Sequence, residues 1–202
     1  MTALVIIDVQ NDFLPGGSLP VPSANEIIEP INKLISHFDL VVATKDYHPE
    51  NHSSFAKTHG KEDFEIIEYQ GHPQELWPIH CVQETHGSEF PKNLKSDLIA
   101  KTFYKGTDIH IDSYSGFYDN EQKRSTGLFE YLQEKRVDTV YIVGLAIDYC
   151  VKYTVKDARA LGLRTFVVVD CCRGIDMHPG DSMRALEACQ EAGAHLVESI
   201  SL

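Results

Sequence analysis

Cys150 follows an apolar, β-branched run, Val140-Tyr141-Ile142-Val143, that closes at Gly144, and the pattern puts it where a helix begins. Peptide N–H groups at a helix start carry partial positive charge and favour a thiolate over a thiol, so a cysteine there is placed to be a nucleophile. Three other chemically capable residues close apolar runs of their own. Asp8 follows Ala3–Ile7, Asp46 follows Leu40–Thr44, and Lys105 follows Ile99–Tyr104. Ligands of open parallel sheets bind beyond the carboxyl ends of the strands, so these side chains are expected at one edge. A carboxylate beside a thiol can take its proton, and a nearby ammonium stabilises both anions, the requirements of covalent acyl transfer. Taken singly, a cysteine at such a turn is more often a small packed residue, and a lysine is most often solvated. Their conjunction is what argues for chemistry.

A second set of residues could hold an ion. Asp46 and His48 are two apart, and alternate residues of an extended chain project to the same side. His52 lies four further on, although Pro49 disfavours a helical pair, and His80 is a more distant candidate. Spacing alone makes this a weak metal signal, because Asp and His are common on surfaces.

The elements that must position these residues alternate. Strands are predicted over 3–7, 40–44, 99–104, 139–143, 164–169 and 195–197. Helices are predicted from a capping box at Ser23-Ala24-Asn25-Glu26 through Phe38, over 126–135, over about 151–161 ending at Gly162, and from Asp181 or Ser182 to Gly193. The alternation implies an α/β fold with a mostly parallel sheet covered on both faces, in one domain spanning 1–202. From Tyr47 to about Lys95 there is little periodicity, and a connection that long is usually functional or hides elements.

Composition narrows the partners. The 202 residues carry a formal net charge of −12, which argues against nucleic acid or an anionic membrane and leaves a small molecule. No signal peptide or membrane span is read, and five cysteines without a C-x-x-C pair fit reduced thiols; a cytoplasmic protein is expected. The Gly-x-Gly-x-x-Gly, Walker A and Gly-x-Ser-x-Gly patterns are absent. The sixth residue after Cys150 is Lys156 rather than the arginine of a tyrosine-phosphatase loop.

Several motifs together resemble the nicotinamidase (pyrazinamidase) family, within the isochorismatase-like cysteine hydrolases. They are Asp8-Val9-Gln10-Asn11-Asp12-Phe13, Ala43-Thr44-Lys45-Asp46-Tyr47-His48-Pro49, Trp77-Pro78-Ile79-His80-Cys81-Val82, Phe103-Tyr104-Lys105-Gly106, Tyr114-Ser115-Gly116-Phe117 and Gly144-Leu145-Ala146-Ile147-Asp148-Tyr149-Cys150-Val151. The resemblance spans essentially the whole chain. It implies a six-stranded sheet between helices, a catalytic triad of Asp8, Lys105 and Cys150, and an oxyanion hole at the N–H groups of Ala146 and Cys150. It further implies a cis peptide at Leu145–Ala146, an aromatic pocket of Phe13, Trp77 and Tyr114, and one divalent metal (Zn, or else Fe or Mn). The ligands would be Asp46, His48 and His80, with His52 a further one. The implied reaction is hydrolysis of nicotinamide, and of pyrazinamide, to the acid and ammonia through a thioester, in NAD salvage. Two alternatives are a ureido or carbamoyl amidase of the same superfamily, which would not need the metal set, and a non-catalytic metal-binding protein.

Overall fold

The apolar runs form strands because a parallel strand buried on both faces has no polar side to show. In the computed structural model, which describes residues 1–201, the first run is β1 (Thr2–Ile7), followed by α1 (Ile28–Ile35) and β2 (Val41–Asp46). Leu202, the end of the expected domain, lies outside the described residues. A hairpin of β3 (Ile66–Tyr69) and β4 (His72–Glu75) comes next, then β5 (Lys101–Lys105), α2 (Leu128–Glu134) and β6 (Thr139–Leu145). The chain ends through α3 (Lys152–Ala160), β7 (Arg164–Arg173), α4 (Asp181–Glu191) and β8 (His195–Val197).

Six strands make one parallel sheet in the order β5-β2-β1-β6-β7-β8, with β1 in the middle against β2 and β6. The hairpin is a separate antiparallel pair. One apolar cluster covers each face: Leu128, Leu132, Val151 and Val155 lie on one side, and Ile27, Ile31, Leu34 and Ile35 on the other. The α/β architecture and the six strands are those expected from the sequence. Among the described residues no helix is long and apolar enough to cross a membrane.

Three local readings differ. Ser23 is no capping box: it takes a left-handed φ of 56°, its side chain makes no cap bond, and a 3-10 turn over Ala24–Ile27 precedes α1. Pro30 could delay the helix start or kink the helix; α1 begins only at Ile28 and has Pro30 in its first turn, where an amide hydrogen has no helical partner to lose. The segment after Tyr47 contains the hairpin that periodicity missed, since β3 and β4 bury neither face and so show no apolar alternation.

Candidate active site

The carboxyl ends of the central strands deliver the predicted residues together. Asp46 and Lys105 are the last residues of β2 and β5 and are paired in register, and Asp8 follows β1 directly. The Lys105 side chain is fully buried. Its ammonium lies 2.9 Å from Asp8 Oδ2 and 3.4 Å from Cys150 Sγ, and it donates to Asp46 Oδ1 and, at 2.9 Å, to the Ser113 carbonyl. The Thr44 hydroxyl donates to Asp8 Oδ1 at 2.6 Å. Asp8, Asp46 and Cys150 bring side-chain atoms within 4.8 Å of one another.

Burial sets the protonation of this group. It raises the Asp8 carboxyl to about 6 against the pull of Lys105. Burial works the same way on Asp46, yet Lys105 and His48 hold that carboxyl well below the usual range. The Cys150 thiol is pushed well above its ordinary value by burial, with Lys105 opposing and the Asp8 and Asp46 carboxylates adding to the rise. The helix-start field expected to favour a resting thiolate is therefore outweighed by desolvation. Cys150 rests as a thiol beside a base.

Gly144 and the turn after it aim that thiol. Gly144 takes φ +120°, and a Cβ there would stand 2.1 Å from the Ile7 carbonyl, so only glycine lets β6 pass this close to β1. The Leu145–Ala146 peptide is cis, and a single π-helical turn, Ile147–Val151, carries Cys150 into α3. The Asp148 carboxylate accepts the N–H groups of Ile175 (3.1 Å) and Asp176 (2.7 Å), tying the turn to the segment beyond β7.

Asp46, His48 and His80 converge as the expected ligand set, their ligand atoms within 4.8 Å of one another. The Nε2 atoms of His48 and His80 lie 3.7 and 3.9 Å from Asp46 Oδ2. Their Nδ1 atoms bond the carbonyls of Gly106 (2.9 Å) and Pro78 (2.8 Å), which fixes Nδ1 as the donor and leaves Nε2 free. His52 stands beside His48, ring centroids 4.3 Å apart, and groups with His48 and Asp112 rather than directly with Asp46 and His80. Its Nδ1 accepts the Ser54 N–H at 3.2 Å and bonds the Ser54 hydroxyl, so the neutral ring carries its proton on the buried Nε2, which has no hydrogen-bond partner among the described residues. Burial lowers both His52 and His80 to about 4, so both offer neutral rings. One carboxylate and two imidazoles with free Nε2 atoms fit a divalent transition metal.

Gln10 fixes the carboxylate end of this set. Its amide donates to the carbonyls of Asp46 (2.8 Å) and Ser88 (3.0 Å) and accepts the Asp46 N–H at 2.9 Å.

A pocket with about 370 Å³ of empty space, open mouth included, joins the thiol to the ligand set. Phe13, Trp77 and Tyr114, the residues named for an aromatic pocket, line it, together with Ala146, Asp46, His48, His80 and Cys150. Leu19, Asp112, Tyr149 and Ile175 also line it and were not foreseen. Tyr149 could have been found from its place beside Cys150; Ile175 carries no local signal. The Trp77 indole N–H donates to the Tyr114 hydroxyl at 3.3 Å, and Tyr149 meets both rings edge-on, at 4.9 and 5.5 Å. The Cys150 thiol and the His48 and His80 rings thus face one opening. Cys81, Cys171, Cys172 and Cys189 are buried and free, as small packed residues.

The chain is similar to known proteins. Residues 2–201 match the isochorismatase domain. The nicotinamidase of Escherichia coli is 42% identical over 198 residues, covering 96% of this chain and 93% of that protein. The solved nicotinamidase/pyrazinamidase of Acinetobacter baumannii superposes with a TM-score of 0.95 at 45% identity, covering 99% of this chain and 97% of the other. The pyrazinamidase of Pyrococcus horikoshii, solved in complex with zinc, gives 0.80 at 37% identity, with 98% of each chain covered.

Proposed function

Because the chain belongs to the isochorismatase family of hydrolases, we propose that it is a metal-containing nicotinamidase that converts nicotinamide to nicotinate and ammonia, and acts on pyrazinamide likewise. The observation that carries this reading is the single pocket shared by the Cys150 thiol and the Asp46/His48/His80 set, walled by Phe13, Trp77 and Tyr114. A carbamoyl amidase would use the thiol and leave the ligand set without purpose.

The residues assign the steps. Asp8 takes the Cys150 proton as Sγ attacks the amide carbon, and Lys105 steadies both anions as they form. The carbonyl oxygen, now an oxyanion, is received by the N–H groups of Ala146 and Cys150, held in place by the turn. Asp8 returns the proton to the leaving nitrogen as the C–N bond breaks, ammonia departs, and a thioester to Cys150 remains. Water, deprotonated by Asp8, then cleaves the thioester to release the acid and restore the thiol. Asp46, His48 and His80, with His52 adjoining, would hold a divalent cation, zinc in the first instance, that when bound supplies a Lewis-acid contact for the ring nitrogen. Such a contact discriminates strongly against amides lacking that nitrogen. The aromatic walls clasp the ring faces. A place in the cytoplasm and in NAD salvage is part of the same proposal.

Ammonia release from nicotinamide tests the reading. Wild type is expected to release it, with benzamide a poor substrate and Cys150→Ala inactive. Full activity of Cys150→Ala would refute the thioester route, and equal turnover of benzamide would refute the role given to the ring nitrogen.

A further inference from the structure

Asp12 lies in the 3-10 turn Asn11–Phe13 that follows β1 and has no part in the steps above. Its two carboxylate oxygens accept backbone N–H groups from two different loops: Oδ2 from Cys81 at 2.7 Å and Oδ1 from Ser18 at 3.3 Å. Cys81 comes directly after His80 and is fully buried, and it sits at φ +48°. A residue with a side chain keeps that left-handed conformation only where its surroundings hold it. The Cys81 carbonyl in turn accepts the His48 N–H at 3.0 Å. One backbone conformation thus decides both how the chain leaves His80 and where the His48 backbone stands. The opposite wall is equally close, since a Cβ on Gly87 would lie 2.0 Å from Asp12 Oδ2.

We infer that Asp12 is a positioning residue for the cation site: its carboxylate holds Cys81 left-handed and so sets His80 and His48 at the spacing a divalent cation needs. The inference rests on the metal reading above. Gln10 does the corresponding work for Asp46, so Gln10, at the start of the 3-10 turn Asn11–Phe13, and Asp12 within it hold the backbones of two ligand segments.

Zinc titration of the chelator-stripped full chain, in competition with a chromophoric chelator, tests this without any turnover. Asp12→Ala is expected to weaken zinc binding about 10- to 100-fold, the usual effect of removing a partner behind metal ligands. Asp12→Asn keeps one oxygen for the Cys81 N–H and is expected to recover most of the loss. In a Cys81→Gly background the effect of Asp12→Ala should largely vanish, because glycine takes a positive φ unaided. Gly87→Ala, whose methyl displaces the carboxylate, should weaken zinc as Asp12→Ala does, and it keeps the test open if Asp12→Ala fails to fold. Wild-type zinc affinity in folded Asp12→Ala or Gly87→Ala would overturn the inference. An equal loss in the Cys81 and Cys81→Gly backgrounds would overturn the conformational route. A wild type that binds no zinc would overturn the metal reading, and this inference with it.

Discussion

Lys105 faces two carboxylates and a thiol with one positive charge, so the buried group carries a net charge of −1 when both acids are ionised. Replacing Asp8 by asparagine removes the excess without changing shape and leaves Lys105 paired with Asp46. Asp8→Asn is therefore expected to lower kcat by about 10²- to 10⁴-fold, the worth of a general base, while urea denaturation shows no loss of stability. Unchanged kcat would remove Asp8 from the proton-transfer role. Lys105→Met has the opposite profile: it leaves two carboxylates facing each other out of water, and urea denaturation should report a loss of about 3–5 kcal/mol. A loss below about 1 kcal/mol would mean that water already reaches the group. At this scale the sequence was informative. Asp8, Asp46, Lys105 and Cys150 could be placed at one edge because each closes an apolar run. Asp112 and Ile175 could not, since they reach the pocket through loops whose course depends on distant carboxylates such as Asp148.

The elements show where pattern succeeds and where it fails. The central strands β1, β2 and β6 are apolar runs that need no alternation to be seen, whereas the β3–β4 hairpin, in which no residue is fully buried, gives no such signal. Ser23-Ala24-Asn25-Glu26 has the letters of a capping box, but tertiary packing sets Ser23 left-handed and voids it. β1 and β6 run close together at Gly144. Gly144→Ala would drive a methyl into the Ile7 carbonyl beside Asp8, at a φ that disfavours any side chain. It is expected to cost at least about 1–3 kcal/mol, and to impair turnover even at temperatures where the variant remains folded. Thermal melting together with ammonia release checks this; wild-type turnover in a folded Gly144→Ala would mean that the strand ends tolerate being spread.

For the molecule as a whole, a ligand set drawn from β2 and the two loops flanking the hairpin makes any bound cation a cross-link between distant parts of the chain. Zinc at about 100 times its Kd would add about 2.7 kcal/mol by mass action, and hence raise Tm by several degrees over the stripped protein. An unchanged Tm at saturating zinc would show that the ion contributes nothing to the folded state. The net charge of −12 should matter little to a neutral amide, so kcat/KM for nicotinamide is expected to stay flat as salt rises, in contrast to a steered charged substrate. The ammonium shared by Asp8 and Asp46 has a consequence on a longer timescale. A descendant that lost the Asp46 carboxylate would give Lys105 wholly to Asp8, turning a poised base into a tight ion pair. On the proposed roles, the metal carboxylate and the proton acceptor are thus tied through one side chain, and a change at Asp46 is inherited as a change in the basicity of Asp8.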